Sequence, residues 1–209
     1  MRREMIVAGN GASLRKMPRE FLESRPLFAM NHFVYYADIQ QRYWTAWDTI
    51  PLDDNIPHLK AGTSVILHPR LKGYMINQGL LEKLALIDLS FWANYTPIPG
   101  LGWGGSVYYT SSLHWAISIG FNLLGYTDFL VAGFDCSMGN GVYMGKGKGA
   151  GPHFYDPKGG GGKVRYAKNW DEQLWALKKH LWPLGGNITN ISPGSMAKLV
   201  PPEDWRNYV

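Results

Sequence analysis

Short apolar runs, each stopped by glycine or a polar residue, punctuate this chain. Met5-Ile6-Val7-Ala8 runs directly into Gly9-Asn10-Gly11-Ala12-Ser13-Leu14, a spacing that allows only a tight strand-to-helix junction. Leu27-Phe28-Ala29-Met30 is a second strand pattern, ending at Asn31. Tyr43 to Trp47 is a third, ending at Asp48, and Ser64 to Leu67 a fourth, ending at His68-Pro69-Arg70. Leu113 to Leu124 is apolar on nearly every face and reads as a buried helix stopped by Gly125. Asp128 to Gly133 follows as a central strand that delivers Phe134-Asp135 to its C-terminal edge. Trp170, Leu174, Leu177 and Leu181 form the buried stripe of a later helix, with Asn169 as its cap and Glu172 completing a capping box. Asn187 to Ile191 is a last strand. Leu80 to Leu89 reads as a helix in a stretch, 71–109, whose strands the pattern does not place.

Strands alternating with helices predict an α/β fold: a single Rossmann-like domain over residues 1–209, with a mainly parallel sheet and helices on both faces. Residues 139–163 are crowded with glycine and lack apolar periodicity, which predicts a glycine-rich flexible lid over 139–168. In open α/β sheets ligands bind beyond the C-terminal strand ends. Asn10, Asn31, Asp48 and His68 are therefore expected to converge there, although Asn and Asp also cap loops without further purpose.

Composition narrows the chemistry. The chain has 209 residues, 45% of them hydrophobic and 18% charged, as in an ordinary globular protein. Its formal net charge of +5 favours anionic ligands. Lys146, Lys148, Lys158, Lys163, Arg165 and Lys168 fall in or beside the glycine-rich segment, either as a solvated loop or as a contact for phosphate or nucleic acid. Cys136 is the only cysteine, so no disulfide framework exists, and its simplest role is that of a small buried residue. No run is long enough for a membrane span, and the apolar stretch before Gly9 is too short for a signal peptide. A cytoplasmic protein is the expectation, and a homo-oligomer is compatible with it.

Three groups of residues carry candidate chemistry. The turn Gly9-Asn10-Gly11-Ala12-Ser13 is expected to leave backbone N–H groups unpaired at a helix start, which suits a phosphate. It lacks the third glycine of a dinucleotide fingerprint, Leu14 standing there, which speaks against NAD or FAD. Thr110-Ser111-Ser112 opens the buried helix with three hydroxyls, where N-capping alone explains one. Tyr143, His153, Tyr155 and Tyr166 lie in or beside the expected lid as candidates for proton transfer or phosphate contact.

Taken in order, Ile6 to Leu14, Met30-Asn31-His32-Phe33, Thr110-Ser111-Ser112 through Tyr126, and Val131 to Asp135 resemble the bacterial CMP-sialic-acid sialyltransferases of glycosyltransferase family 42. They equally resemble a wider group that includes hydroxymethyl-dihydropterin pyrophosphokinases and phage proteins. Ile191-Ser192-Pro193-Gly194-Ser195 is similar to the closing strand and turn. The resemblance implies a nucleotide-sugar donor held by Asn10, Ser13, Asn31, Thr110, Ser111 and Ser112, with Asp48 a further contact; Gly9 and Gly11 of the turn and Asp135 at the β-strand edge are expected at the same nucleotide site. It also implies Tyr143 at the departing phosphate, transfer to a hydroxyl acceptor, and no cofactor. Where the family has its basic histidine this chain has Tyr166, so the base is either His153 or Tyr166. His153 is the better one by its ordinary pKa. The pyrophosphokinase alternative requires Mg²⁺ on carboxylates such as Asp48 and Asp135. A third alternative is a nucleic-acid-binding or nucleic-acid-modifying protein that uses the basic lid.

Overall fold

Six strands line up in the order β4-β3-β2-β1-β5-β8, every neighbouring pair parallel. They are β1 (Glu4–Ala8), β2 (Leu27–Met30), β3 (Tyr43–Thr45), β4 (Ser64–Val65), β5 (Asp128–Ala132) and β8 (Asn187–Asn190). A separate antiparallel ladder pairs β6 (Ser137–Met138) with β7 (Arg165–Tyr166). The computed structural model describes residues 3–35, 39–46, 55–67, 71–79, 112–138 and 165–209. Among these, no helix is long and apolar enough to cross a membrane.

Alternation of side chains along the strands builds two cores. Ile6, Ala8, Leu27, Ala29, Trp44, Val65, Leu130 and Ala132 face one side of the sheet. There they pack against Phe21 and Leu22 of α1 (Arg19–Glu23) and Met75 of α2 (Lys72–Asn77). Met5, Val7, Phe28, Met30, Phe129 and Val131 face the other. They meet α3 (Ser112–Asn122) and α4 (Lys168–Leu181), which contribute Trp115, Ile119, Leu174 and Leu177. Period-two alternation with both faces covered is what an all-parallel sheet requires. The fold is therefore a doubly wound α/β domain, as the strand and helix patterns predict. Gly120 lets α3 lie on the sheet, since a Cβ there would sit 2.6 Å from the Phe129 ring.

Several local expectations are corrected. The glycine turn leads into no α-helix: Ala12–Lys16 is a 3₁₀ helix with Gly11 at its N-cap, and the Ser13 side chain bonds to Asp135. Asn169 and Glu172 form no capping box. Helix α4 starts at Lys168 with Ala167 at its N-cap, which puts Asn169 inside the first turn, and Glu172 instead pairs with Lys168 at 3.4 Å. Of the segment expected as lid, residues 165–168 form β7 and the start of α4. The remainder of that segment, residues 139–164, and the helix expected over Leu80 to Leu89 lie outside the described residues.

Candidate functional site

Strand order reverses between β1 and β5: β1 to β4 build outward on one side, β5 and β8 on the other. A crevice opens at such a switch point beyond the C-terminal strand ends. The β1 end supplies Gly9 to Ser13 and the β5 end supplies Gly133 to Asp135.

Hydrogen bonds stitch these two loops together and change the reading of the glycine turn. Gly9 N–H donates to the Ala132 carbonyl at 2.8 Å, and Gly11 N–H to the Gly133 carbonyl at 2.9 Å. Ser13 N–H donates to Asp135 Oδ2 at 3.0 Å, and the Ser13 hydroxyl donates to Asp135 Oδ1. The N–H groups of Gly9, Gly11 and Ser13 are thus engaged by the chain itself, contrary to the unpaired set the sequence suggests. The anion seated at the turn is Asp135. The glycines follow from this contact. A Cβ on Gly9 would lie 2.7 Å from the Gly133 carbonyl oxygen, and one on Gly11 2.5 Å from Asp135 Cγ. Gly133 adopts φ +68°, and a Cβ there would lie 2.8 Å from Leu14 Cγ. Leu14 therefore packs beneath Gly133 where a dinucleotide fingerprint has its third glycine.

A turn after β8 holds the Asp135 loop from behind. Phe134 N–H donates to Ser192 Oγ at 2.8 Å, Ser195 Oγ donates to the Phe134 carbonyl at 2.7 Å, and Met196 N–H donates to the Asp135 carbonyl at 2.8 Å. Buried Asn190 fixes this turn through Ser192 N–H, Ser195 Oγ and the Val200 carbonyl. These positioning residues carry a sequence signal, since Asn190-Ile191-Ser192-Pro193-Gly194-Ser195 is dense in turn formers directly after a strand.

The second part of the site lies one strand away. Asn31, at the end of β2, has φ +49°, a left-handed conformation uncommon for a residue with a side chain. Its carbonyl accepts the Trp44 indole N–H at 2.9 Å. Its Oδ1 accepts from the Ser112 hydroxyl at 3.3 Å, across 81 residues of sequence. Ser112 is the first residue of α3, so the N-terminus of that helix comes to the C-terminal edge of β2. At the end of β3, Thr45 Oγ1 is buried and has no hydrogen-bond partner among the described residues. The sequence pattern does not single Thr45 out, because a threonine inside a strand is ordinary.

Behind these loops sits a group of titratable side chains, of which Asp171, Cys136 and His114 are buried and Tyr166 is partly exposed. Asp171, in the first turn of α4, accepts from the N–H groups of Lys198, Leu199 and Val200 at 2.6, 2.9 and 3.2 Å. It also accepts from the Tyr166 hydroxyl at 2.5 Å. Burial pushes its carboxyl upward, but these donors together hold it below the ordinary aspartate value. The bond to Asp171, followed by burial and that carboxylate's charge, raises the Tyr166 phenol above its ordinary value. Burial first, then the nearby Asp171 carboxylate, raises the Cys136 thiol to about 12, and its Sγ donates to the Ala167 carbonyl at 3.2 Å. His114, two residues into α3 from Ser112, is lowered by burial to about 4, against an opposing hydrogen bond to the Trp170 backbone. Sequence reasoning gives no signal for Asp171, because an acidic residue in a first helical turn is common for reasons of dipole alone.

Gly9, Asn10, Gly11, Ser13 and Asp135 thus gather at the switch point, with Asn31 and Ser112 meeting one strand over. Tyr166 lies on β7, paired with Ser137 two residues past Asp135, with its hydroxyl on Asp171. Asp48, Thr110, Ser111, Tyr143, His153 and Tyr155 lie outside the described residues. In comparison with known proteins, no family model matches the chain, and no curated protein or solved structure matches it. The fold defines a doubly wound α/β protein with polar residues gathered at its switch point.

Proposed function

We propose that the chain is a transferase that takes a nucleotide-sugar donor at the switch point and passes the sugar to an acceptor hydroxyl. One observation carries this reading: the Ser112 hydroxyl on Asn31 Oδ1, which joins a helix N-terminus to a left-handed strand end at the ligand-binding edge of the sheet. A strained residue held from both sides is characteristic of a ligand clamp. The Thr45 hydroxyl, without a partner among the described residues, adds a buried polar group at the same edge. With the N–H groups of the glycine turn engaged, the phosphates belong at the α3 N-terminus, among Ser112, Thr110 and Ser111. The carboxylate of Asp135, both of whose oxygens accept from Ser13, disfavours a phosphate beside it. Asn10, Gly9, Gly11 and Ser13 shape that end, and Asp48 is a further donor contact.

Tyr166, its phenol held protonated by Asp171, fits a hydrogen-bond donor better than a base. The base role then belongs to His153, with Tyr143 on the departing phosphate. The Mg²⁺-dependent pyrophosphokinase alternative asks Asp135 to hold a cation while both its oxygens bond to Ser13. The sugar-transferase reading leaves that contact in place. Isothermal titration with CMP, UDP, GDP and ATP tests the proposal. One of them should bind, and Asn31→Ala or Ser112→Ala should weaken it tenfold or more. Binding of none overturns the reading.

A further inference from the structure

A second surface lies at the pole opposite the crevice. There α3 and α4 end and β5 and β8 begin. The two helix ends meet at Gly186, where a Cβ would lie 2.8 Å from the Phe121 ring and 2.9 Å from Leu181 Cβ. Four large apolar side chains at this pole or on the α4 stripe running to it stay in solvent: Trp182 is 66% exposed, Leu184 57%, Leu123 39% and Trp175 38%. Trp182 keeps helical dihedrals (φ −53°, ψ −52°), so it continues the α4 face that carries Trp175 seven residues earlier. Lys178 and Lys179 fall between the two rings, and Lys179 Nζ lies 5.7 Å from the centre of the Trp175 ring. From Gln173 to Gly186 the chain carries Lys178 and Lys179 and no carboxylate, while Asp128 and Glu4 open β5 and β1 at the same end of the sheet.

We infer that this pole docks on an anionic lipid surface. Trp182 and Leu184 would enter the boundary between headgroups and acyl chains, while Lys178 and Lys179 meet the negative headgroups. Charge complementarity selects the occupant. A symmetric contact with a second copy would bring two lysine-bearing patches together, like charge toward like charge. A single-stranded nucleic acid would use the tryptophans and lysines, but it offers nothing to the aliphatic Leu184 and Leu123, which gain from hydrocarbon. The crevice, at the other end of the strands, then faces away from the bilayer.

Co-sedimentation of the full chain with large vesicles tests this. The chain should bind phosphatidylcholine vesicles containing phosphatidylglycerol at least tenfold more tightly than phosphatidylcholine alone at low salt. The double variant Trp182→Ser/Leu184→Ser should lose tenfold or more of that binding. Lys178→Glu/Lys179→Glu should remove the preference for anionic lipid. The Trp182/Leu184 variant should keep the parent melting temperature, since both side chains are exposed. Vesicle binding unchanged by the Trp182/Leu184 variant overturns the inference. So does a lowered melting temperature for that variant, which means the chain itself covers the patch. Trp182-dependent binding of an oligothymidylate without vesicle binding, or a Trp182-dependent dimer in light scattering, would replace lipid by another partner.

Discussion

His114 and Cys136 show what burial does to single titratable groups. His114 is neutral in the folded chain, with its pKa lowered to about 4 from 6.5. Between those values the unfolded chain binds the proton that the folded chain excludes. The contribution is thus complete above pH 6.5 and is lost as pH falls toward 4, to the extent of about 3 kcal/mol. Denaturant melts at stepped pH should show this loss, and His114→Gln should flatten the curve in that window. Cys136 sits at φ +52° with its thiol raised to about 12. Because it is the only cysteine, alkylation reads it alone. Iodoacetamide at pH 8 should label the native chain on the order of a thousandfold more slowly than the unfolded chain. Neither behaviour follows from a histidine or cysteine in a sequence, because burial and neighbours set both.

Helix α4 is fixed less by a cap than by one carboxylate. Asp171 takes three backbone N–H groups from residues 198–200 and the Tyr166 hydroxyl, joining α4, β7 and the C-terminal segment. Asp171→Asn keeps the shape but turns one acceptor into an NH₂ group facing donors. A loss of about 3 kcal/mol in urea unfolding is expected. The same substitution should lower the Tyr166 phenol pKa, readable by its absorbance titration. The buried stripe of this helix was legible, since Leu174, Leu177 and Leu181 recur at helical spacing and are buried. The Asn169–Glu172 capping box was not realised. Helix start depends on where β7 releases the chain, and that is a tertiary event.

On the scale of the whole molecule, the two halves of the sheet meet through the contact between the Gly9–Ser13 and Gly133–Asp135 loops. Gly11→Ala puts a Cβ 2.5 Å from both Asp135 Cγ and the Gly133 carbonyl oxygen, so the loops must part. We expect about 2 kcal/mol of destabilisation together with loss of nucleotide binding, by urea midpoint and calorimetry. Gly73→Ala, in α2 with open space around it, serves as the control and should be neutral or slightly stabilising.

The order of apolar runs and polar stops was enough to place strands β1, β2, β5 and β8, helix α3 and the doubly wound class. Those features rest on local periodicity and on the need to bury both faces of a parallel sheet. The polar residues at the strand ends could likewise be named in advance, because parallel strands carry their C-terminal ends to one edge. What each of them bonds was open until the chain closed. A glycine turn reads alike whether its N–H groups meet a phosphate or Asp135, some 122 residues away. Ser112 and Asn31 have no relation in the sequence, and only the packing of α3 on β1 and β2 brings their side chains together. Periodicity is a property of neighbours along the chain, whereas a site is made of neighbours in space.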